Sequence, residues 1–339
     1  MKHFYSPFSL VISMAMWSLA SNAHDIEVPN ADGVMIYYNI SKDDTQLQVT
    51  YSNNSDEKYK GEVVIPDEVE YSEKTYKVTS LDSFAFMYCS ELTAVTIPEG
   101  LNSLGAKIFT GCSSLVTVNI KSKKFIETNF GFGGGCASLF GNQIKNCTLK
   151  DDVTTIGNYF FAQCSNLTTL EIPGCVTKIG NSTFESCSSL SSLTVPSSVE
   201  SMGSYVFSNC ESLTSVTFLG DIPTFGDYAF WQAKNIKTIY SYTDMPSAYS
   251  DDRFAGIYNK VTLYVPYGCK EIYQNTNGWK KFANIVEMEP SGIHGVSTST
   301  VGASVMGYYS LEGKFALQAQ KGINIVKNSN GTTTTVIVK

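Results

Sequence analysis

Val78-Thr-Ser-Leu-Asp-Ser-Phe-Ala-Phe-Met-Tyr-Cys-Ser-Glu-Leu-Thr-Ala-Val-Thr-Ile-Pro98 is one copy of a unit that recurs every 23 residues. Sliding it along the chain aligns Leu81, Leu104, Ile156, Ile179, Met202 and Phe225, then Phe86, Phe109, Phe161, Phe184, Phe207 and Phe230. Cys89, Cys112, Cys164, Cys187, Cys210 and Ala233 share the next position, and Leu92, Leu115, Leu167, Leu190, Leu213 and Ile236 the one after it. The step from Cys112 to Cys164 is 52 residues, so a degenerate unit sits there. A repeat of this length specifies a solenoid, in which each coil buries its apolar face only against its neighbours.

The spacing within a unit says how a coil is built. Leu81, Ala85, Phe86 and Cys89 recur at steps of three to five, which predicts a short helix or 3₁₀ segment. Leu92, Val95 and Ile97 end in an alternation that predicts a short strand, and Pro at 98, 173 and 196 ends it by removing a donor. Stacking then gives a parallel sheet on one side and short helical segments on the other. In the degenerate unit, Cys136-Ala-Ser-Leu139 echoes Cys112-Ser-Ser-Leu115, and Ile144, Cys147 and Leu149 fall in the slots of Leu92, Val95 and Ile97.

The pattern resembles the BspA-type leucine-rich repeat, as in Ile179-Gly180, Phe184, Cys187-Ser188, Leu190, Leu193 and Val195-Pro196. It differs from the common leucine-rich pattern in carrying Pro where an Asn follows the strand. The resemblance runs from about Val78 to Glu287 and implies an α/β leucine-rich-repeat solenoid. It also implies a surface-exposed or secreted bacterial protein, without enzymatic activity, of a kind that binds matrix proteins or other cells.

The ends of the chain complete the organisation. Lys2 and His3 precede an apolar run, Phe8 to Leu19, that is too short to span a bilayer and stops at Ser21-Asn-Ala23. This predicts a cleaved secretory signal over 1–23. Residues 24–76 read as a β-rich N-terminal cap, with strands expected at Val34–Tyr38, Leu47–Tyr51 and Glu62–Ile65. The repeats and a C-terminal cap fill 77–287, a Ser/Thr/Gly linker 288–304, and a small β module 305–339. That last module resembles the type IX sorting domains of secreted Bacteroidetes proteins, which implies contact with secretion machinery.

Without the signal the chain carries 31 acidic and 23 basic residues and no basic run, which argues against nucleic acid and against anionic membrane surfaces. No later stretch is apolar for long enough to form a spanning helix. Five of the nine cysteines share one repeat position, so their Cβ vectors run parallel, which suits a buried ladder of thiols better than disulfides. Cys175 and Cys269 fall apart from it as loop residues. A linear stack does not converge on a metal ion. The three histidines, His3, His24 and His294, all lie outside the repeats, which leaves no Ser-His or Cys-His pair there. Gly131-Phe-Gly-Gly-Gly135 lacks the Gly-Lys-Ser/Thr of a phosphate loop and reads as a loop at the interrupted repeat. No catalytic, cofactor or metal site is expected.

What remains is the outward strand face. It carries Thr96, Asn119, Thr148, Glu171, Thr194, Thr217 and Tyr240 in one row, and Ala94, Thr117, Asn146, Thr169, Ser192, Ser215 and Thr238 in the next. A Thr/Ser face serves β-propensity and solubility, or offers a shallow polar surface to a protein or glycan. Trp231, Tyr240 and Tyr242 single out the last coil, because exposed aromatics anchor interfaces; equally, they could pack against the aromatic-rich C-terminal cap. Two functions are open at this point. One is an exported binding or adhesion protein contacting an extracellular protein or glycan, and the other is a structural envelope or matrix component with no specific ligand.

Overall fold

A computed structural model describes residues 24–249 other than 53 and 55, residues 254 and 256–288, and the backbone of four strands beyond them. The expected signal, and the expected linker beyond Met288, lie outside the described residues. The repeats form a solenoid whose coils meet along three ladders.

The first ladder is the expected parallel sheet. Gly61–Val64, Leu92–Ile97, Thr117–Ile120, Asn146–Leu149 and Thr169–Leu170 form five rungs, and Ser192–Val195, Ser215–Phe218, Thr238–Ser241, Thr262–Val265 and Asn284–Glu287 form five more. No strand pairing joins Thr169–Leu170 to Ser192–Val195, so this side of the solenoid is two sheets with a seam between them. Leu170, whose counterparts Val95, Val118, Leu193 and Val216 are buried, is half-exposed beside that seam. The register keeps repeat positions level: Ser192, Ser215 and Thr238 pair in turn, as do Thr194, Thr217 and Tyr240. Alternation therefore turns Leu193, Val216 and Ile239 inward, as the sequence pattern requires.

A second ladder is built from two-residue strands at Thr155–Ile156, Lys178–Ile179, Ser201–Met202 and Thr224–Phe225. Coils approach so closely here that a Cβ on Gly180 would sit 2.5 Å from the backbone nitrogen of Asn158. That is why Gly follows the apolar residue at 105, 157, 180, 203 and 226. The first unit carries Asp82 instead, because the cap strand and not a coil precedes it. Its amide donates to Val49 O, and its carboxylate accepts from Thr50 Oγ1 and Asn39 Nδ2.

The third ladder stands where the spacing predicts a short helix or 3₁₀ segment. Bonds from residue i to i+3 do occur, as in Ala162 N–H to Tyr159 O and Cys164 N–H to Phe161 O. But Phe84 and Tyr88, Tyr159 and Gln163, Ser182 and Ser186, Tyr205 and Asn209, and Tyr228 and Gln232 all adopt left-handed φ between 52° and 65°. A left-handed residue every fourth position breaks a helix and frees alternate amides to bond the next coil. Tyr205, Phe207 and Asn209 thus donate to the carbonyls of Asp227, Ala229 and Trp231 at 2.8–2.9 Å.

Between the ladders runs the aromatic core. Phe86 and Phe109 stack at 4.9 Å, Phe161 and Phe184 at 5.9 Å, Phe184 and Phe207 at 5.8 Å, and Phe207 meets Phe230 at 5.1 Å. In the interrupted region the helix Cys136–Phe140 supplies Phe140 as the ring against Phe109, while Leu139 is only half-buried, so the echo of Leu115 at Leu139 does not hold. The widened coil is filled by Phe125 and Phe160, the latter standing where other coils have Ala85, Thr183 or Ala229.

The N-terminal strands Ile26–Pro29, Met35–Ile40 and Gln46–Val49 form an antiparallel meander. Gln46–Val49 then pairs parallel to Lys74–Leu81, which pairs in turn with Ser103–Leu104. The cap and the first coils therefore share hydrogen bonds directly. At the other end Tyr273, Trp279 and Phe282 are buried over the last coils, with Trp279 Nε1 donating to Ser247 O at 3.0 Å. Cys269, read as a loop residue, is buried just before the helix Lys270–Asn275. Residues 305–338 contain a four-stranded antiparallel sheet.

Candidate functional site

The buried thiols occupy one structural role. Cys112, Cys187 and Cys210 point their Sγ atoms at the carbonyls of Phe86, Phe161 and Phe184, at 2.9, 3.1 and 3.0 Å, each on the preceding coil. All nine cysteines are free thiols, and Cys175 is the exposed one. Burial pushes the Cys164 and Cys210 thiols up to about 12, and burial raises Cys136 and Cys187 as well. Such thiols are poor nucleophiles and poor metal ligands at neutral pH. Among the described residues, no group of three His, Cys, Asp or Glu side chains is arranged to hold a metal ion, and no helix is long and apolar enough to cross a membrane.

The surface is where the coils differ. On the strand side the outward polar rows bond across rungs: Thr148 Oγ1 donates to Asn119 Oδ1 at 2.6 Å, and Asn119 Nδ2 to Thr96 Oγ1 at 3.3 Å. Thr96 and Thr217 are covered by their neighbours, whereas Thr148, Glu171 and Thr194 are exposed. Tyr240 continues this row and stacks on Tyr264 at 4.9 Å with the rings 17° from parallel. Both rings are half-buried, so Tyr240 leans on the first strand of the C-terminal cap while keeping an open side. Tyr242 is also half-buried, and burial, then the nearby Tyr240, raises its phenol above the usual value.

Trp231 lies elsewhere. It belongs to the turn ladder, is 52% exposed, and meets Tyr228 edge-on at 5.5 Å. Tyr228 is 58% exposed and stacks on Tyr205 at 5.3 Å. The three singled-out residues thus divide between two sides of the last repeat coil. Tyr240 and Tyr242 stand with the strands, and Trp231 with a row of turn-side aromatics that also includes Phe84, Tyr88, Phe132 and Tyr159. Gly131–Gly135 joins the same side, since Phe130 N–H and Cys136 N–H donate to the carbonyls of Asn158 and Phe160. The repeat alignment missed this row because its positions vary, with Lys107 and Ser182 in two coils. The available signal was an aromatic two residues before the core Phe in four of six units.

The profile of the family described as BspA type leucine rich repeat region matches six copies over residues 68–133 and 135–276. Among curated proteins there is no match. Among solved structures, the leucine-rich repeat protein of T. pallidum, TpLRR, is 20% identical with a TM-score of 0.39, over 56% of this chain and 83% of that one. A leucine-rich repeat protein from Bacteroides ovatus is 18% identical with a TM-score of 0.33, over 67% and 75%. The pneumococcal vaccine antigen PcpA is 14% identical with a TM-score of 0.37, over 78% and 99%.

Proposed function

Because the chain belongs to the BspA-type leucine-rich repeat family, we propose that it is an exported, non-enzymatic binding or adhesion protein whose repeat surface contacts an extracellular protein or glycan. The observation that carries this reading is the exposure of aromatic side chains along the repeats, ending in Tyr228, 58% exposed, and Trp231, 52% exposed, on a fold whose repeat-core Phe rings are buried. Rigid amphipathic rings gain much on desolvation and lose little side-chain entropy, which is why they dominate interfaces. Trp231 on the turn side and Tyr240 with Tyr242 on the strand side are the proposed anchors. The apolar leader at Phe8 to Leu19 supports export, and the C-terminal β module is the segment proposed to engage secretion machinery.

The test is a binding screen of the full chain against matrix proteins and glycans, followed by variants. Trp231→Ala, or Tyr240→Ala combined with Tyr242→Ala, is expected to weaken binding by more than about 2 kcal/mol while far-UV dichroism stays that of the parent. Thr117→Ala, at the other end of the strand face, should bind as the parent does. A chain that binds nothing in the screen and instead assembles with rising concentration would replace this reading with that of a structural matrix component.

A further inference from the structure

Six coils have a left-handed position two residues before the core Phe, and aromatic residues stand there at Phe84, Tyr159, Tyr205 and Tyr228, with φ between 56° and 65°. A bulky L-residue pays on the order of 1–2 kcal/mol for that backbone, which Gly or Asn would adopt more cheaply. The fold does not need a ring there. Lys107 and Ser182 hold the same position in other coils, and the side chains of Phe84, Tyr205 and Tyr228 are 42%, 38% and 58% exposed. The backbone serves the bonds between coils at Ser182 as it does at Tyr205, so what a ring adds at this position lies outside the core.

The chemistry around the best-formed stretch says what that is. Tyr205, Tyr228 and Trp231 form a continuous row, with contacts at 5.3 and 5.5 Å, on two turns joined by the hydrogen bonds from Tyr205, Phe207 and Asn209 to Asp227, Ala229 and Trp231. Ser204, Asn209 and Gln232 flank the rings with hydroxyl and amide groups. Glu211, Asp227 and Lys234 are the only charges in the turns 203–212 and 226–235, so the row has no cationic cluster to hold an acidic polymer. Aromatic rings receive the C–H faces of sugar rings, while neighbouring amides and hydroxyls exchange hydrogen bonds with sugar hydroxyls. Tyr205 and Tyr228 hold the same position in two successive coils, with Trp231 beside them, which suits a ligand that repeats along its length, as a polysaccharide does and a folded protein does not.

We propose that the turn side at Tyr205, Tyr228 and Trp231 binds a neutral polysaccharide. This rests on the reading of the chain as an exterior binding protein and gives the Trp231 side of its surface a ligand class.

Affinity electrophoresis of the full chain through gels containing mixed-linkage β-glucan, galactomannan or amylose tests it, with chondroitin sulfate as the acidic comparison and immobilised collagen and laminin as protein comparisons. At least one neutral polysaccharide should retard the parent. Tyr228→Ala with Trp231→Ala should weaken that interaction at least roughly tenfold, while Tyr228→Phe and Tyr71→Ala, the latter an exposed ring on the cap, retain it. Titrating the parent, without the leader that carries Trp17, with the same polysaccharide should shift tryptophan emission to the blue, since Trp231 is exposed and Trp279 already buried; this readout holds even if the double variant fails to fold. Absence of retardation and of the emission shift with all three polysaccharides overturns the proposal, as does retardation by chondroitin sulfate alone or retardation untouched in a folded double variant. Binding to collagen or laminin without any polysaccharide binding would sink the glycan assignment and leave the exterior-binding reading intact. Binding to none of the six would remove both.

Discussion

At Cys164, Cys187 and Cys210 the cysteine of the repeat is a residue whose chemistry has been turned off by burial in the stack. A thiol is small enough for the interior and can still donate to the Phe carbonyl of the preceding coil, as Cys187 and Cys210 do. Ala233 takes the slot in the last unit and keeps the packing without the donor. Alkylation of Cys89, Cys112, Cys164, Cys187 and Cys210 should therefore be slow in the native protein and complete in denaturant; peptide mapping that finds any of these five bridged to one another would refute the arrangement. A pH dependence follows. Cys164 and Cys210 titrate near 12 in the folded chain and near 9 when unfolded. Their burial thus contributes stability that is fully present below pH 9 and is lost as pH rises from 9 towards 12. Each thiol should contribute a slope of about 1.4 kcal/mol per pH unit in that window. Denaturant midpoints measured between pH 8 and pH 11 should fall, and less steeply in Cys164→Ala with Cys210→Ala.

At the scale of the coil, inward and outward positions carry different energies. Phe184 is fully buried between Phe161 and Phe207, so Phe184→Ala should cost about 3–5 kcal/mol. Thr194 is exposed on the strand face, and Thr194→Ala should change stability by no more than about 0.5 kcal/mol. Equal losses in urea midpoint would contradict the assignment of faces. This division was legible in the sequence because period-23 registration fixes which side chains share a column. The turn ladder was not. Its left-handed residues include Phe84, Tyr159, Tyr205 and Tyr228, bulky types that carry no local signal for positive φ, and only bonding to the next coil holds them there. Phe140 in place of Leu139 was hidden for a related reason: a helix inserted after Gly135 shifts which residue meets Phe109. The candidate anchors could be named from sequence, but their division between two sides required knowing that the segment around Trp231 is a turn facing away from the strands.

Across the whole molecule, cooperativity depends on how completely neighbouring coils are joined. The two-residue strands and the turn bonds pass without interruption through Thr155–Ile156, Lys178–Ile179 and Ser201–Met202, whereas the strand side is cut between Thr169–Leu170 and Ser192–Val195. Amide hydrogen exchange should show this as an asymmetry within one coil. Ser192 and Thr194 should exchange faster than Ser215 and Thr217, which hold the same positions one coil on, while Phe184 stays as protected as Phe207. Equal protection at both strand pairs would mean the seam is closed in solution.

That seam also changes how the chain would answer a pull. A solenoid tethered at one end and holding a target at its surface is loaded mechanically, and a stack of equally joined coils has no preferred point of failure. Here the strand side lacks one course of hydrogen bonds, so tension would concentrate at Leu170 and open the stack there like a book, with the turn side as its spine. The coil of Tyr240 and Trp231 lies wholly in the C-terminal block and would keep its shape while the joint gives.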